Sequence, residues 1–571
     1  MNAMNFDEVK YERPDFDAYA QQLKQAAAQL AKAMDAQAAV TVAKTTVPAV
    51  NAVMSAAMLA MIRHSIDTRD AYYTAEDEYW NEFGPKYDNV ETDYLKALVK
   101  SPYRQALEAV YPKPFFLKAE NQLRIQTPAV LELQQRDNQL ISEYDNLTAG
   151  AQIDFEGKIY TLAQLGGPMA DADRQTRKAA SAAYWGWYAD HEAQIDQIYD
   201  QMVQVRTEIA HTLGFKDYAE MSYVFMDRFG YDEVQVAKYR QAIQTQVVPK
   251  VVAQRQKQAK RLGLAKLDYF DLGVQFKTGN AKPVGTPIEL VAKANHMYHQ
   301  MAPVAGEFFQ HMIDSHLLDL VAKPGKAGGG YAEYVPSIES PFIFSNFNGT
   351  SGDVDVLTHE AGHALQTYVA RWIQPGDTVF PTNEAAEIFS MSMEFIAYPY
   401  MPAFFEGQTD KYLYAHLQAA LEFLPYGILV DHFQHEVYTH PTWTPAERKA
   451  AWRDLEKQYC PDRDYDENPA LDRGIYWFRQ AHIFDVPFYY LDYTIAQVVA
   501  FEFWQRFNVE HDPKAWEDYM AMAKAGGSQT LMELIQTGHL RSPFEPATLK
   551  DTLDAVKHAL DAVDDTQLDH N

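Results

Sequence analysis

Apolar residues recur at intervals of three and four through most of the chain, the spacing of one helix face. Between about residues 15 and 145 the pattern is carried by positions such as Leu23, Ala27, Leu30 and Met34, in stretches rich in the strong helix formers Ala, Gln, Leu, Lys and Glu. The most apolar run, Val47 to Ile62, contains Pro48, Asn51 and Ser55. It falls short of the roughly 20 apolar residues of a membrane span and reads as a buried helix. Helical spacing resumes after Asp171 and continues to about Lys260, with Pro249 expected to kink or interrupt it. The aromatic clusters Tyr72–Trp80 and Tyr184–Tyr188 read as core packing.

Two segments depart from this period. Ile153 to Thr161 alternates apolar and polar residues around Glu156-Gly157, the signature of a hairpin. After a glycine-rich loop, Lys323 to Tyr331, the stretch Tyr334 to Phe347 is strand-like and predicts a two- or three-stranded sheet. Helices return near Asp353. The expectation is a mainly α protein. Its boundary is soft: residues 1–195 form a helical region with a small hairpin, and 196–571 form the region carrying the chemistry.

Composition narrows the function. The 571 residues are 47% hydrophobic and 13% aromatic, as expected of a globular core. Fifty Lys and Arg against 78 Asp and Glu give a formal charge of −28. Such a surface repels phosphate backbones and argues against nucleic acid, while tolerating cationic peptides. The single cysteine, Cys460, permits no intrachain disulfide and no thiolate-based zinc site. No basic-then-apolar leader pattern opens the sequence, so a cytoplasmic location without membrane partners is expected.

The segment Thr358-His359-Glu360-Ala-Gly-His363 contains H-E-x-x-H. On a helix His359 and His363 stand one turn apart on one side and can bind one ion. Glu360 borders that face and is placed to act as general base toward a water on the metal. The turn Gly349–Gly352 precedes the helix, with Ser351 or Asp353 as N-cap, and Gln374-Pro375-Gly376 closes it. A metzincin requires Gly at 366 and His at 369, and this chain has Gln366 and Val369. A third ligand is therefore sought on the following helix. Glu384, Glu387 and Glu394 lie there among Ile388, Phe389, Met391 and Met393, where an acidic group is costly unless paired or ligated. Glu387 is the preferred ligand and Glu384 the alternative; Glu394 is read as steadying a ligand histidine. His432, His435 and Glu436 also bring imidazoles together, but no general base stands between them, and they read as surface or packing.

Downstream, Arg479-Gln-Ala-His482 leads into Tyr489, Tyr490 and Tyr493. An imidazole and phenols are suitable donors to the oxyanion of amide hydrolysis.

The stretch Ser345-Asn-Phe-Asn-Gly-Thr-Ser-Gly through His363, and His482-Ile-Phe-x-x-Pro-Phe-Tyr-Tyr-Leu-Asp-Tyr493, resemble the oligoendopeptidase F branch of the thimet-oligopeptidase-like metallopeptidases, the M3 family. The similarity is clearest over about residues 200–545. The resemblance implies a two-lobed helical bowl around a deep substrate channel, with a small sheet next to the zinc helix. It implies Glu387 as third zinc ligand, and His482, Tyr490 and Tyr493 as substrate-binding and oxyanion residues, with Tyr489 an alternative to Tyr490. It further implies that Ser345, Asn346, Phe347, Asn348 and Gly349 lie along the substrate by strand addition. In the family's branch Cys often follows the glycines before the sheet, whereas here Ala332 follows Tyr331.

The reading that results is a zinc endopeptidase, one Zn2+ per chain, cutting internal bonds of short unstructured oligopeptides by Glu360-assisted attack of zinc-bound water. The alternatives are an exopeptidase releasing dipeptides from the carboxyl end, a non-catalytic peptide-binding protein, and a helical protein with a structural metal. Monomer and homodimer both remain open.

Overall fold

The computed structural model describes residues 5–465 and 468–568. Helices dominate, as their spacing predicts. The N-terminal region forms long helices at Phe16–Ala31, Ala36–Ile66 and Ala71–Val99, which pack on one another. Asp15, Asp35 and Asp70 cap them by accepting first-turn backbone N–H groups. Ala36–Ile66 is long and apolar enough to cross a membrane by length and composition alone. It is used as a core helix, with Leu59, Ala60 and Ile62 buried and a sheet strand against it.

Pro249 interrupts its helix as expected. A π-helical turn at Ile243–Val247 precedes it, and a new helix, Val248–Leu262, takes the proline near its start, where a missing N–H is tolerated.

The hairpin forms strands β1 (Ile153–Phe155) and β2 (Lys158–Tyr160), antiparallel with Phe155 opposite Lys158. Its two turn residues, Glu156 and Gly157, both have positive φ (53° and 78°), the handedness a tight hairpin requires. A three-stranded sheet is formed by β3 (Leu318–Val321), which precedes the glycine-rich loop, and β4 (Tyr331–Val335) and β5 (Ser340–Phe347), which follow it. Their order is β3-β5-β4, so β5 is central, parallel to β3 and antiparallel to β4. Strands β4 and β5 pack against the helix Gly352–Ala370, which carries the H-E-x-x-H segment.

The chain divides into two compact units, neither continuous in sequence. The first comprises residues 1–124, 282–406 and 502–541, and holds the three-stranded sheet and the H-E-x-x-H helix. The second comprises 125–281, 407–501 and 542–571, and holds the hairpin and the His482–Tyr493 segment.

Candidate active site

Two helices of the first unit build the centre. His359, Glu360 and His363 lie on Gly352–Ala370; Glu384, Glu387 and Glu394 lie on Asn383–Ile396. The histidine helix ends at Ala370, four residues before Gln374. Ser351 stands at its N-cap position but makes no capping bond. Asp353 instead points backward, its carboxylate accepting the N–H groups of Asn348 and Gly349 at 2.8 Å each.

Gly362, inside the motif, permits the two helices to meet. A Cβ there would lie 2.5 Å from the Phe389 carbonyl oxygen and 2.7 Å from Ser390 Cα. At that close approach Glu387 Oε2 lies 3.3 Å from His359 Nε2 and 3.4 Å from His363 Nε2. The three donor atoms all fall within 4.8 Å of one another, and Glu384, fully buried one turn earlier, is outside the group. A tetrahedral ion with ligands at about 2.1 Å needs donors about 3.4 Å apart, so two imidazoles and one carboxylate at this spacing fit zinc or another first-row divalent ion. Glu394 Oε1 lies 2.7 Å from His359 Nδ1. Nδ1–H donating to that carboxylate leaves the Nε2 lone pair facing Glu387 and the ion position. His363 Nδ1 is buried and makes no hydrogen bond among the described residues.

The charges are strongly coupled. Burial opposes a charge on His359, yet its bonds to Glu387 and Glu394 win and hold its pKa well above the ordinary imidazole value. Burial likewise pushes Glu387 up, but His363 and His359 outweigh it and hold the carboxyl far below its usual range. Glu360 is raised, chiefly by burial, with both histidines pulling the other way. Glu333, on β4, is raised to about 7 by burial, with Glu360 pushing further and His363 opposing. Sequence reasoning did not single out Glu333. Gly330, just before β4, also lies near Glu360: a Cβ there would sit 3.7 Å from Glu360 Oε1.

Ser345–Phe347 end the middle strand of this sheet, and Asn348 and Gly349 follow it. Because β5 is the middle strand, Ser340–Phe344 pair with β4, and Ile343, Phe344 and Phe347 with β3. The residues beyond are also engaged. The Ser345 carbonyl accepts Lys326 Nζ, and the Asn346 amide donates to the Ala327 and Gly329 carbonyls at 2.9 Å. Asn348 and Gly349 serve the Asp353 carboxylate. Glu333 on edge strand β4 lies within electrostatic reach of Glu360 and His363.

In the second unit, His482 gathers the predicted tyrosines. Its ring centroid lies 4.9 Å from that of Tyr490 and 6.0 Å from those of both Tyr489 and Tyr493. Gln480 Nε2 lies 3.2 Å from His482 Nδ1, and the Tyr426 hydroxyl donates to Gln480 Oε1 at 2.8 Å. Buried arginines fix this segment, and sequence spacing gave no sign of them. Arg206 donates to the Ile483 and Phe484 carbonyls and pairs with Asp137; Arg228 donates to the Phe488 carbonyl at 2.7 Å and pairs with Asp492. Gln434 Oε1 accepts the Phe488 N–H. Phe488 has a φ of 70°, strained for a non-glycine residue, so these bonds oppose a local conformational cost.

The second imidazole group, His432 and His435, is packed among its neighbours. His435 is buried, and burial lowers its pKa to about 3; His432 Nδ1 lies 3.0 Å from the Tyr459 hydroxyl. Cys460 is buried too, its thiol pushed up to about 12 by burial, so it holds little thiolate.

Fold and site together define a class: mainly helical proteins with an H-E-x-x-H helix whose two histidines are joined by a glutamate from the next helix. The sequence matches Peptidase family M3 over residues 169–552 and the Peptidase M3 N-terminal domain over 6–126, and the chain belongs to peptidase family M3. Among solved structures, PZ peptidase A with an inhibitor superposes with a TM-score of 0.93 at 44% identity, covering 98% of this chain and all of the other. A Bacillus anthracis protein described as an oligoendopeptidase F gives 0.88 at 42% identity, over 99% of this chain and all of the other. Oligopeptidase PepF of Bacillus subtilis is 21% identical over 269 residues, which span 45% of this chain and 38% of PepF.

Proposed function

We propose that this protein is a zinc-dependent endopeptidase that cuts internal bonds of short, unstructured oligopeptides. The observation that carries the reading is the convergence of His359, His363 and Glu387 beside the Glu360 carboxylate. Family membership supports peptide hydrolysis, and the similarity to oligoendopeptidases supports internal cleavage.

His359, His363 and Glu387 would hold the ion. When bound, zinc supplies Lewis acidity toward the scissile carbonyl and lowers the pKa of water. The chain's own residues do the rest. Glu394 holds His359 in the tautomer that presents Nε2. Glu360 accepts the proton of the attacking water and returns it to the leaving amine. His482 with Tyr490 or Tyr493 is assigned to the oxyanion, with Tyr489 the alternative to Tyr490, and Arg206 and Arg228 position that segment. An extended peptide is assigned to the β4 edge, where backbone pairing would set its register. A cytoplasmic location and a clientele without nucleic acid or membrane belong to the same reading and accord with the charge of −28.

Glu360→Gln tests it. The variant should retain one equivalent of zinc and lose about 10²–10⁴ in turnover of a blocked octapeptide. Wild-type turnover by a zinc-loaded variant would overturn the assignment of the base.

A further inference from the structure

Among the described residues nearly every arginine of this acidic chain has a hydrogen-bond or ion-pair partner, and Arg479 is the exception. Among the described residues its guanidinium has no salt bridge and no hydrogen bond, and the residue is exposed. Arg463 offers a contrast. Its guanidinium lies 4.3 Å from the Tyr476 ring centroid and pairs with Glu456 at 3.0 Å. Arg479 lies over the same ring at 5.1 Å, with no carboxylate among the described residues paired to it. Its surroundings are phenols: its charge acts on Tyr184, Tyr426 and Tyr490 as well as Tyr476.

Stacking against an aromatic face holds a guanidinium through its π surface and leaves its in-plane N–H edge free. That edge matches a carboxylate, which it can bind with two parallel hydrogen bonds. The location gives the vacancy meaning. Arg479 precedes His482 by three residues, and Tyr490 adjoins both. With a chain charge of −28, anionic peptides are repelled by the surface at large. One uncommitted cation beside the histidine–tyrosine cluster is a local exception to that field.

We propose that Arg479 is a carboxylate-recognition residue of the peptide site, receiving either the free C-terminal carboxylate of a bound peptide or an Asp or Glu side chain. This rests on the reading that the ligand of the site is a peptide. It adds a preference for an anionic group at a fixed distance from the His482 cluster.

Binding is measured without turnover, by fluorescence anisotropy on the zinc-loaded Glu360→Gln protein with Arg479 intact, as Arg479→Met, or as Arg479→Lys. The probes are two pairs of fluorescein-labelled octapeptides: one pair differs in a C-terminal acid or amide, the other in an internal Glu or Gln with the terminus amidated. With Arg479 intact, the acidic member of at least one pair should bind about tenfold more tightly, the worth of one charge-assisted contact. Which pair responds identifies the source of the carboxylate. Arg479→Met should reduce that preference to less than twofold, and Arg479→Lys should retain part of it. The proposal is overturned if neither pair shows a preference, if the preference survives in Arg479→Met, or if none of the four peptides binds. Failure of the wild-type enzyme to cut any peptide would sink the peptidase reading, yet this binding comparison would still decide the role of Arg479.

Discussion

Gly362→Ala is the sharpest perturbation of the centre that leaves every proposed ligand in place. The new Cβ would meet the Phe389 carbonyl oxygen at 2.5 Å, where ordinary contact begins at 3.4 Å. The difference, 3.4 − 2.5 = 0.9 Å, falls on backbone, which cannot rotate aside as a side chain can. The two helices must therefore part by close to that amount, carrying Glu387 away from two histidines it now meets at 3.3 and 3.4 Å. Alanine gains about 1 kcal/mol in helix propensity over glycine. Overpacking costs about 1–3 kcal/mol, so global stability should fall by about 2 kcal/mol at most. Metal affinity should suffer more, by about 10- to 100-fold, the range seen when the support of a ligand is lost. Competition against a chelator of known zinc affinity, with melting of the metal-free proteins alongside, separates the two effects. Wild-type zinc affinity within twofold would refute the claim that this close approach sets the donor spacing.

Two further outcomes follow from the same geometry. Glu394→Gln should keep the fold and weaken zinc binding by about 10- to 100-fold, because the neutral amide supports the His359 tautomer less strongly than a carboxylate; equilibrium dialysis checks this, and unchanged affinity would contradict it. Burial lowers His435 from 6.5 to about 3, so between those limits the unfolded chain binds a proton the folded chain refuses. Its contribution to stability is intact above pH 6.5 and is lost progressively as pH falls toward 3. His435→Phe should therefore flatten the loss of unfolding free energy between pH 7 and 5, by about 1–2 kcal/mol over that interval; parallel curves for the two proteins would show that His435 is not the group titrating.

What the sequence made legible was local. Helical spacing, the Glu156-Gly157 turn and the strand-like run before the H-E-x-x-H helix are all written in adjacent residues and appear where their patterns predicted, whereas strand β3, Leu318–Val321, lies before the glycine-rich loop and outside the predicted run. The pair His359 and His363, with Glu387 seven residues before Glu394, could be read because a helix converts spacing into direction. Strand order could not be read this way. Nothing in Ser345–Gly349 says that β3 will pair with β5 from the other side, and that one topological fact leaves β3 and β4 as the edges of the sheet. The need for Gly362 was hidden for a similar reason, since it depends on where Phe389 passes. The bonds of Arg206 and Arg228 could not be read because they reach backbone carbonyls more than 250 residues away in the chain, a contact that leaves no mark on either local pattern.

The central claim is metal-dependent internal cleavage, and its most direct measurement uses an octapeptide blocked at both ends. The peptide is incubated with the enzyme as prepared, with the enzyme after chelation, and with the chelated enzyme given back zinc, and the products are read by mass spectrometry. The account predicts internal cleavage that chelation abolishes and zinc restores. Cleavage that persists without metal, or an enzyme that leaves the blocked peptide whole while trimming its unblocked counterpart, would contradict it.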